Sequence, residues 1–251
     1  MTAAGGGTAA AGPRVCVLHT VAALPAVFDP LLRELAPGVR PYHVVDESLL
    51  ADTVAHGPLP RTAARLAAYV TQAEAAGADA VLVTCSSIGP AAEQARPLVS
   101  IPVLRVDEPM AASAVSTGAR IAVLATLEST LAPTADLIRR QAGAREITLT
   151  TSVCPGSYAA KAAGDAPRHD TLIAEEALRL AADHDVLVLA QASMAGALDR
   201  LPQGALTVPV LTSTRSGTAQ LAAVRPAAVR PVADRPGATR PVATHRREPD
   251  E

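Results

Sequence analysis

An internal repeat leaves this chain few ways to fold. Arg14-Val-Cys-Val-Leu-His-Thr20 matches Arg120-Ile-Ala-Val-Leu-Ala-Thr126 at an offset of 106 residues. In the same register, Asp79-Ala-Val-Leu-Val-Thr-Cys85-Ser-Ser-Ile matches Asp185-Val-Leu-Val-Leu-Ala-Gln191-Ala-Ser-Met. Ile101-Pro-Val-Leu104 matches Val208-Pro-Val-Leu211 at an offset of 107. Three matched segments in nearly one register imply two copies of one unit.

Each matched segment is a short aliphatic run without period-2 alternation, which suits a strand buried on both faces of a parallel sheet. Helical stretches lie between them. Pro60 to Ala76 ends at Gly77, where a helix C-cap belongs, and Asp170 to Ala182 is its second-copy counterpart. The expectation is therefore an α/β protein of two pseudo-symmetric, doubly wound parallel sheets. Residues 14–110 with 205–224 are assigned to the first unit and 111–204 to the second. Residues 1–13 read as a disordered leader of small residues, and 225–251 as a disordered tail with Arg-Pro every five residues.

Composition removes several functions. Net charge is −2 and the chain holds one Phe, three Tyr and no Trp. A nucleic-acid binder needs a basic footprint, usually with stacking rings, so nucleic acid is not expected as a partner. The longest weakly polar run, Val186 to Leu198, is 13 residues and too short to span a bilayer, so no membrane role is expected. No basic segment followed by an apolar core opens the chain, and the three cysteines, Cys16, Cys85 and Cys154, form neither a disulfide framework nor a zinc signature. A reducing, cytoplasmic setting fits. Pyridoxal phosphate would rest on Lys161, the one lysine, and no cofactor or metal is expected.

In doubly wound sheets, ligands bind beyond the carboxyl ends of the strands. Cys85 and Gln191 both fall there, one in each copy. Cys85 precedes Ser86-Ser87-Ile88-Gly89-Pro90, a strand-to-helix turn. Free amides at a helix start lower a thiol pKa and hold a carboxylate, with the hydroxyls of Ser86 and Ser87 as partners. The alternative reading of Cys85 is a buried structural thiol. Thr20 and Thr126 occupy equivalent strand ends. His19 stands at a strand end too, either as acid, base or anchor, or as a satisfied core residue. Asp46-Glu47 and Asp107-Glu108 follow apolar strands and read as helix caps or as site carboxylates. Arg215 reads as a carboxylate clamp or an exposed cation. Cys16 lies inside a strand, and Cys154 in a loop before Pro155-Gly156.

The segment TCSSIG, its counterpart LAQASMA and the two-copy layout resemble the aspartate/glutamate/hydantoin racemase superfamily. The segments VDEPMA (106–111), ATLESTLAPT (125–134) and CPGSYAAKAAGD (154–165) add to the likeness, which covers 14–224 and excludes both ends. The resemblance implies cofactor-free proton transfer at a carbon next to a carboxylate, with two thiols flanking a small carboxylate substrate. The first carries over to Cys85; the second falls at Gln191, a departure from the pattern. An amide neither gains nor loses a proton near neutral pH, but it can donate to an enolate or carboxylate oxygen. The resemblance thus implies a racemase-like isomerase working through one thiol, with Ser86, Ser87, Thr20, Thr126, Ala192 and Ser193 around the carboxylate. A decarboxylase or lyase of the arylmalonate decarboxylase kind and a non-catalytic carboxylate-binding relative are the alternatives. A homodimer is common in the resembled family.

Overall fold

The computed structural model describes residues 12–226. The expected leader and Arg-Pro tail lie outside the described residues, apart from 12–13 and 225–226. The first half runs β1 (Arg14–His19), α1 (Leu24–Leu35), β2 (Arg40–Val45), α2 (Glu47–His56), α3 (Pro60–Ala75), β3 (Ala80–Val83), α4 (Gly89–Ala95) and β4 (Val103–Arg105). After α5 (Glu108–Thr117) the pattern starts again with β5 (Arg120–Ala125), α6 (Glu128–Ala142), β6 (Thr148–Val153), α7 (Ser157–Ala162), α8 (Ala166–Ala181), β7 (Val186–Leu189), β8 (Val210–Thr212) and α9 (Ser213–Ala219). The sheets are β2-β1-β3-β4 and β6-β5-β7-β8, parallel throughout. The duplication is thus visible as two sheets of identical order.

The aliphatic runs are central strands for a physical reason. β3 and β7 are buried along their whole length, and apolar clusters cover both faces of each sheet. Such strands have no solvent face on which to place alternating polar residues. The flanking strands β2 (RPYHVV) and β6 (TLTTSV) are edges and only partly buried, so they carry mixed sequences that the apolar-run criterion does not detect.

α3 ends where expected, with Gly77 at φ 82°, a left-handed turn that a side chain would strain. α8 begins four residues before the expected Asp170, because Asp165 caps it by accepting from Arg168 N at 3.0 Å. The grouping of 205–224 with the first unit needs a correction. β8 hydrogen-bonds to β7 and completes the second sheet, as the counterpart of β4. Only the chain beyond it returns: α9 packs on α1 and α5, and Leu221 joins Phe28, Leu32 and Val17 over the first sheet.

Candidate active site

Both sheets reverse strand order between their first and third strands, since the second strand lies on one side of the first and the third on the other. A crevice opens beyond the carboxyl ends at such a switch point, where the following helices splay apart. In the first sheet the residues placed there are His19, the last residue of β1, Thr20 after it, and Thr84 and Cys85, after β3. In the second they are Thr126, after β5, and Gln191, after β7. The two crevices face one another across a single cleft of about 640 Å³ lined by Thr20, Cys85, Ser86, Ser87, Thr126, Gln191, Ala192 and Ser193. The eight residues expected to act on or surround the carboxylate therefore lie on the wall of one cavity.

Cys85 and Gln191 occupy equivalent backbone positions. Each is extended, at φ −124°, ψ 116° and φ −125°, ψ 140°, and each opens a 3-10 helix, Ser86–Ile88 and Ala192–Arg200. Their chemistry differs. Burial pushes the Cys85 thiol up, and it outweighs the opposing pull of the Thr20 hydroxyl, the backbone amides of Ile88 and Ser87 and the Ser87 hydroxyl. The expected lowering by the turn amides is present but loses to desolvation, because protein mass surrounds the sulfur even though the residue is only partly buried. Burial thus favours the protonated thiol over the thiolate, whose hydrogen-bonding partners are in place around the sulfur. Thr20 Oγ1 is buried and otherwise without a hydrogen-bond partner.

Gln191 is held from behind. Thr126 donates to Gln191 Oε1 from its backbone N at 2.5 Å and its Oγ1 at 2.9 Å. A backbone N–H can only donate, so the atom facing it is the amide oxygen and the free end of the side chain is the NH₂ group. Thr126 therefore orients Gln191 instead of offering its own hydroxyl to a carboxylate.

Two other expected carboxylate partners also have structural duties. Ser86 Oγ donates to the Ala190 carbonyl at 3.1 Å, and Ser87 Oγ lies 3.0 Å from Thr130 Oγ1. Both bonds cross from the first half to the second and tie the Cys85 turn to the opposite wall. The Ser193 carbonyl lies 3.3 Å from Nε2 of buried His169, whose Nδ1 faces the Ser157 carbonyl at 2.9 Å.

The remaining candidates sort by position. Glu47 lines the cleft, with Oε1 accepting from Ala22 N at 2.9 Å, while Asp46 caps α2 by accepting from Ser48 N. Asp107 and Glu108 lie outside the lining and pair with Arg105 and Arg96. Arg215 pairs with Glu34 on the surface, and so is not a clamp for cleft ligands. Cys16 and Cys154 are buried, and burial near Glu176 pushes Cys154 up to about 12. His19 hydrogen-bonds through Nδ1 to Thr84 Oγ1 at 2.9 Å and through Nε2 to His43 Nδ1 at 2.8 Å, and His43 Nε2 reaches Asp29 at 3.0 Å. Sequence reasoning missed the apolar upper wall, built by Leu24, Val27, Leu50, Val54, Leu127 and Tyr158, with Lys161 beside it. The apolar face of α2 was a signal for part of it. No group of three or more His, Cys, Asp or Glu is placed to hold a metal ion, and no helix is long and apolar enough to cross a membrane, among the described residues.

Fold and cleft together define a class: a duplicated α/β protein whose one thiol and one amide face each other at paired switch points. The chain belongs to the Asp/Glu/Hydantoin racemase family, whose model matches residues 18–221. Its fold is that of solved racemases. A glutamate racemase isoform from Bacillus anthracis is 18% identical, with 84% of this chain and 80% of that one covered at a TM-score of 0.62. Allantoin racemase from Klebsiella pneumoniae is 18% identical over 84% and 86% at 0.62, and Picrophilus torridus aspartate racemase 14% identical over 84% and 93% at 0.63. No curated protein sequence matches the chain.

Proposed function

We propose that this protein is a racemase-type enzyme that moves a proton on the carbon next to the carboxylate of a small organic acid, through Cys85 alone and without a cofactor. The observation that carries this reading is the placement of Cys85 and Gln191 at equivalent strand ends on facing walls of one cleft. In the exchange step the Cys85 thiol gives up its proton to solvent water, the resulting thiolate takes the α-proton, and the C–H bonding pair passes into the carboxylate as an enolate. The thiol, its proton exchanging with solvent, returns one to the face it came from, and the slower protonation of the opposite face by water gives the inverted product. The thiolate is stabilised by the amides of Ser87 and Ile88 and by Thr20, groups that already act on the sulfur. Gln191 Nε2 donates to the oxygen on which charge develops, as a preorganised donor. Thr126 keeps the amide aimed, and the backbone amides opening Ala192–Arg200 receive the carboxylate, with the Ser193 hydroxyl beside them.

The test is incubation in heavy water with small carboxylic and amino acids, reading α-deuterium. Incorporation by the native chain and its loss in Cys85→Ala, with an unchanged circular dichroism spectrum, is the expected result; equal incorporation in the variant would falsify the assignment. Gln191→Leu should retain some exchange but lower kcat by roughly 10²- to 10³-fold, the usual effect of losing one such donor. One observation favours a second reading. A neutral thiol on a single wall suits protonation of a carbanion left by decarboxylation, so carbon dioxide release from disubstituted malonates would identify a decarboxylase or lyase instead.

A further inference from the structure

We infer that the substrate carries one bulky apolar group on its α-carbon, branched alkyl or aryl, and no second carboxylate. The inference rests on the proposed proton transfer for its chemistry but on different residues for its content. The floor of the cleft is polar, formed by the threonines, serines, Cys85 and Gln191 at the strand ends. The walls above it are not: Leu24 and Val27 come from α1, Leu50 and Val54 from α2, Leu127 from the turn after β5, and Tyr158 from α7. A ligand that matches both has a polar head and an apolar body.

The exposure pattern points the same way. Six large apolar side chains stay exposed among the described residues, and three of them, Val27, Val54 and Tyr158, at 43%, 42% and 48%, line this cleft. Apolar surface gathered around a concave polar site is the usual form of a small-molecule pocket, and about 640 Å³ falls within the roughly 300–1,000 Å³ common for such sites. Charge excludes the alternative. The lining carries one formal negative charge, Glu47, and one formal positive charge, Lys161, and none of the arginines. A dicarboxylate would bring two negative charges to walls with no net positive charge, and its second carboxylate would lie against alkyl groups that cannot hydrogen-bond to it. A single carboxylate needs no side-chain cation, because Gln191 Nε2 and the backbone amides opening Ala192–Arg200 can receive it, while the Ser87 and Ile88 amides are engaged by the Cys85 sulfur.

The experiment sets leucine, phenylglycine and 2-phenylpropanoate against aspartate and glutamate, on the full chain, with α-deuterium incorporation and ligand-induced thermal shift read in parallel. Each methylene added to the apolar group is expected to raise kcat/KM about tenfold or more, up to the length of the wall. Val54→Asp changes an exposed rim position and leaves folding intact; it should lower kcat/KM for the apolar acids with little change in kcat. Preferred exchange of aspartate or glutamate, lost in Lys161→Met, overturns the apolar class while leaving the proton-transfer reading in place. Thermal shift by the apolar acids without any exchange keeps the class and overturns proton transfer. A concentration-dependent dimer that Val54→Asp dissociates, with no shift by any acid, overturns the inference by showing that the rim is a subunit interface.

Discussion

His19 sits at the end of β1 with no exposed surface, between Thr84, Phe28 and the partly exposed His43. Burial is the main cause that lowers its pKa to about 4; His43 adds to the effect and Asp29 opposes it. The neutral ring has one nitrogen 2.9 Å from the Thr84 hydroxyl, which itself donates to the Leu18 carbonyl at 3.2 Å, and the other 2.8 Å from His43 Nδ1. The sign of the linkage follows. Between about pH 6.5 and 4 the unfolded chain binds a proton at this histidine and the folded chain does not, so acid favours unfolding. The contribution is fully present above about pH 6.5 and lost as pH falls through about 4, roughly 3 kcal/mol in all. Urea titrations across that window should show the loss in the native chain and a much flatter profile in His19→Gln. At the same scale, the sequence already placed Cys85, Gln191 and both threonines at the cleft. What it could not show was that Thr126, Ser86 and Ser87 spend hydrogen bonds on the scaffold, because those partners lie 43 to 104 residues away.

Among the elements, the join between α4, β4 and α5 is held by an ion pair in the interior. Arg105, the last residue of β4, has no exposed side-chain surface, and its guanidinium meets Asp107 twice, at 2.9 and 2.7 Å, and Glu93 at 2.7 Å. Removing one partner strands the other in a medium that solvates charge poorly. Arg105→Met should therefore cost about 3–5 kcal/mol in denaturant titration, the usual range for a broken buried pair. Gly89 tests the same join from the other side. A Cβ there would lie 2.3 Å from the guanidinium carbon, so Gly89→Ala should displace Arg105 and lower the melting temperature. The central strands were legible because burial on both faces enforces unbroken aliphatic runs. β2 and β6 were not, since an edge strand tolerates residues such as the Thr-rich TLTTSV. The Asp107 pairing was equally hidden: Asp before a helix reads as a cap, yet its side chain makes no cap bond and turns to Arg105.

At the scale of the molecule, the chain begins in the first half, builds the second, and returns to the first through α9. Gly217 sets how closely that return packs. A Cβ at this position would lie 2.3 Å from the Val106 carbonyl oxygen and 2.5 Å from its Cγ2. Backbone cannot yield as a flexible side chain does, so Gly217→Ala should lift α9 and cost about 1–3 kcal/mol, the common range for overpacking. Calorimetry checks this, and the native chain should melt in one transition, because Leu221 belongs to the core of the half where the chain began. The repeat disclosed two like sheets, but not that the closing helix crosses between them, since no sequence match marks that segment. The two walls of the cleft remain unequal, with sulfur at Cys85 and nitrogen at Gln191. A hydrogen removed and returned by one thiol comes back to the side it left, with retention. Isotope from solvent should then wash into an optically pure acid well before its optical rotation decays, whereas a pair of opposed thiols would link the two clocks.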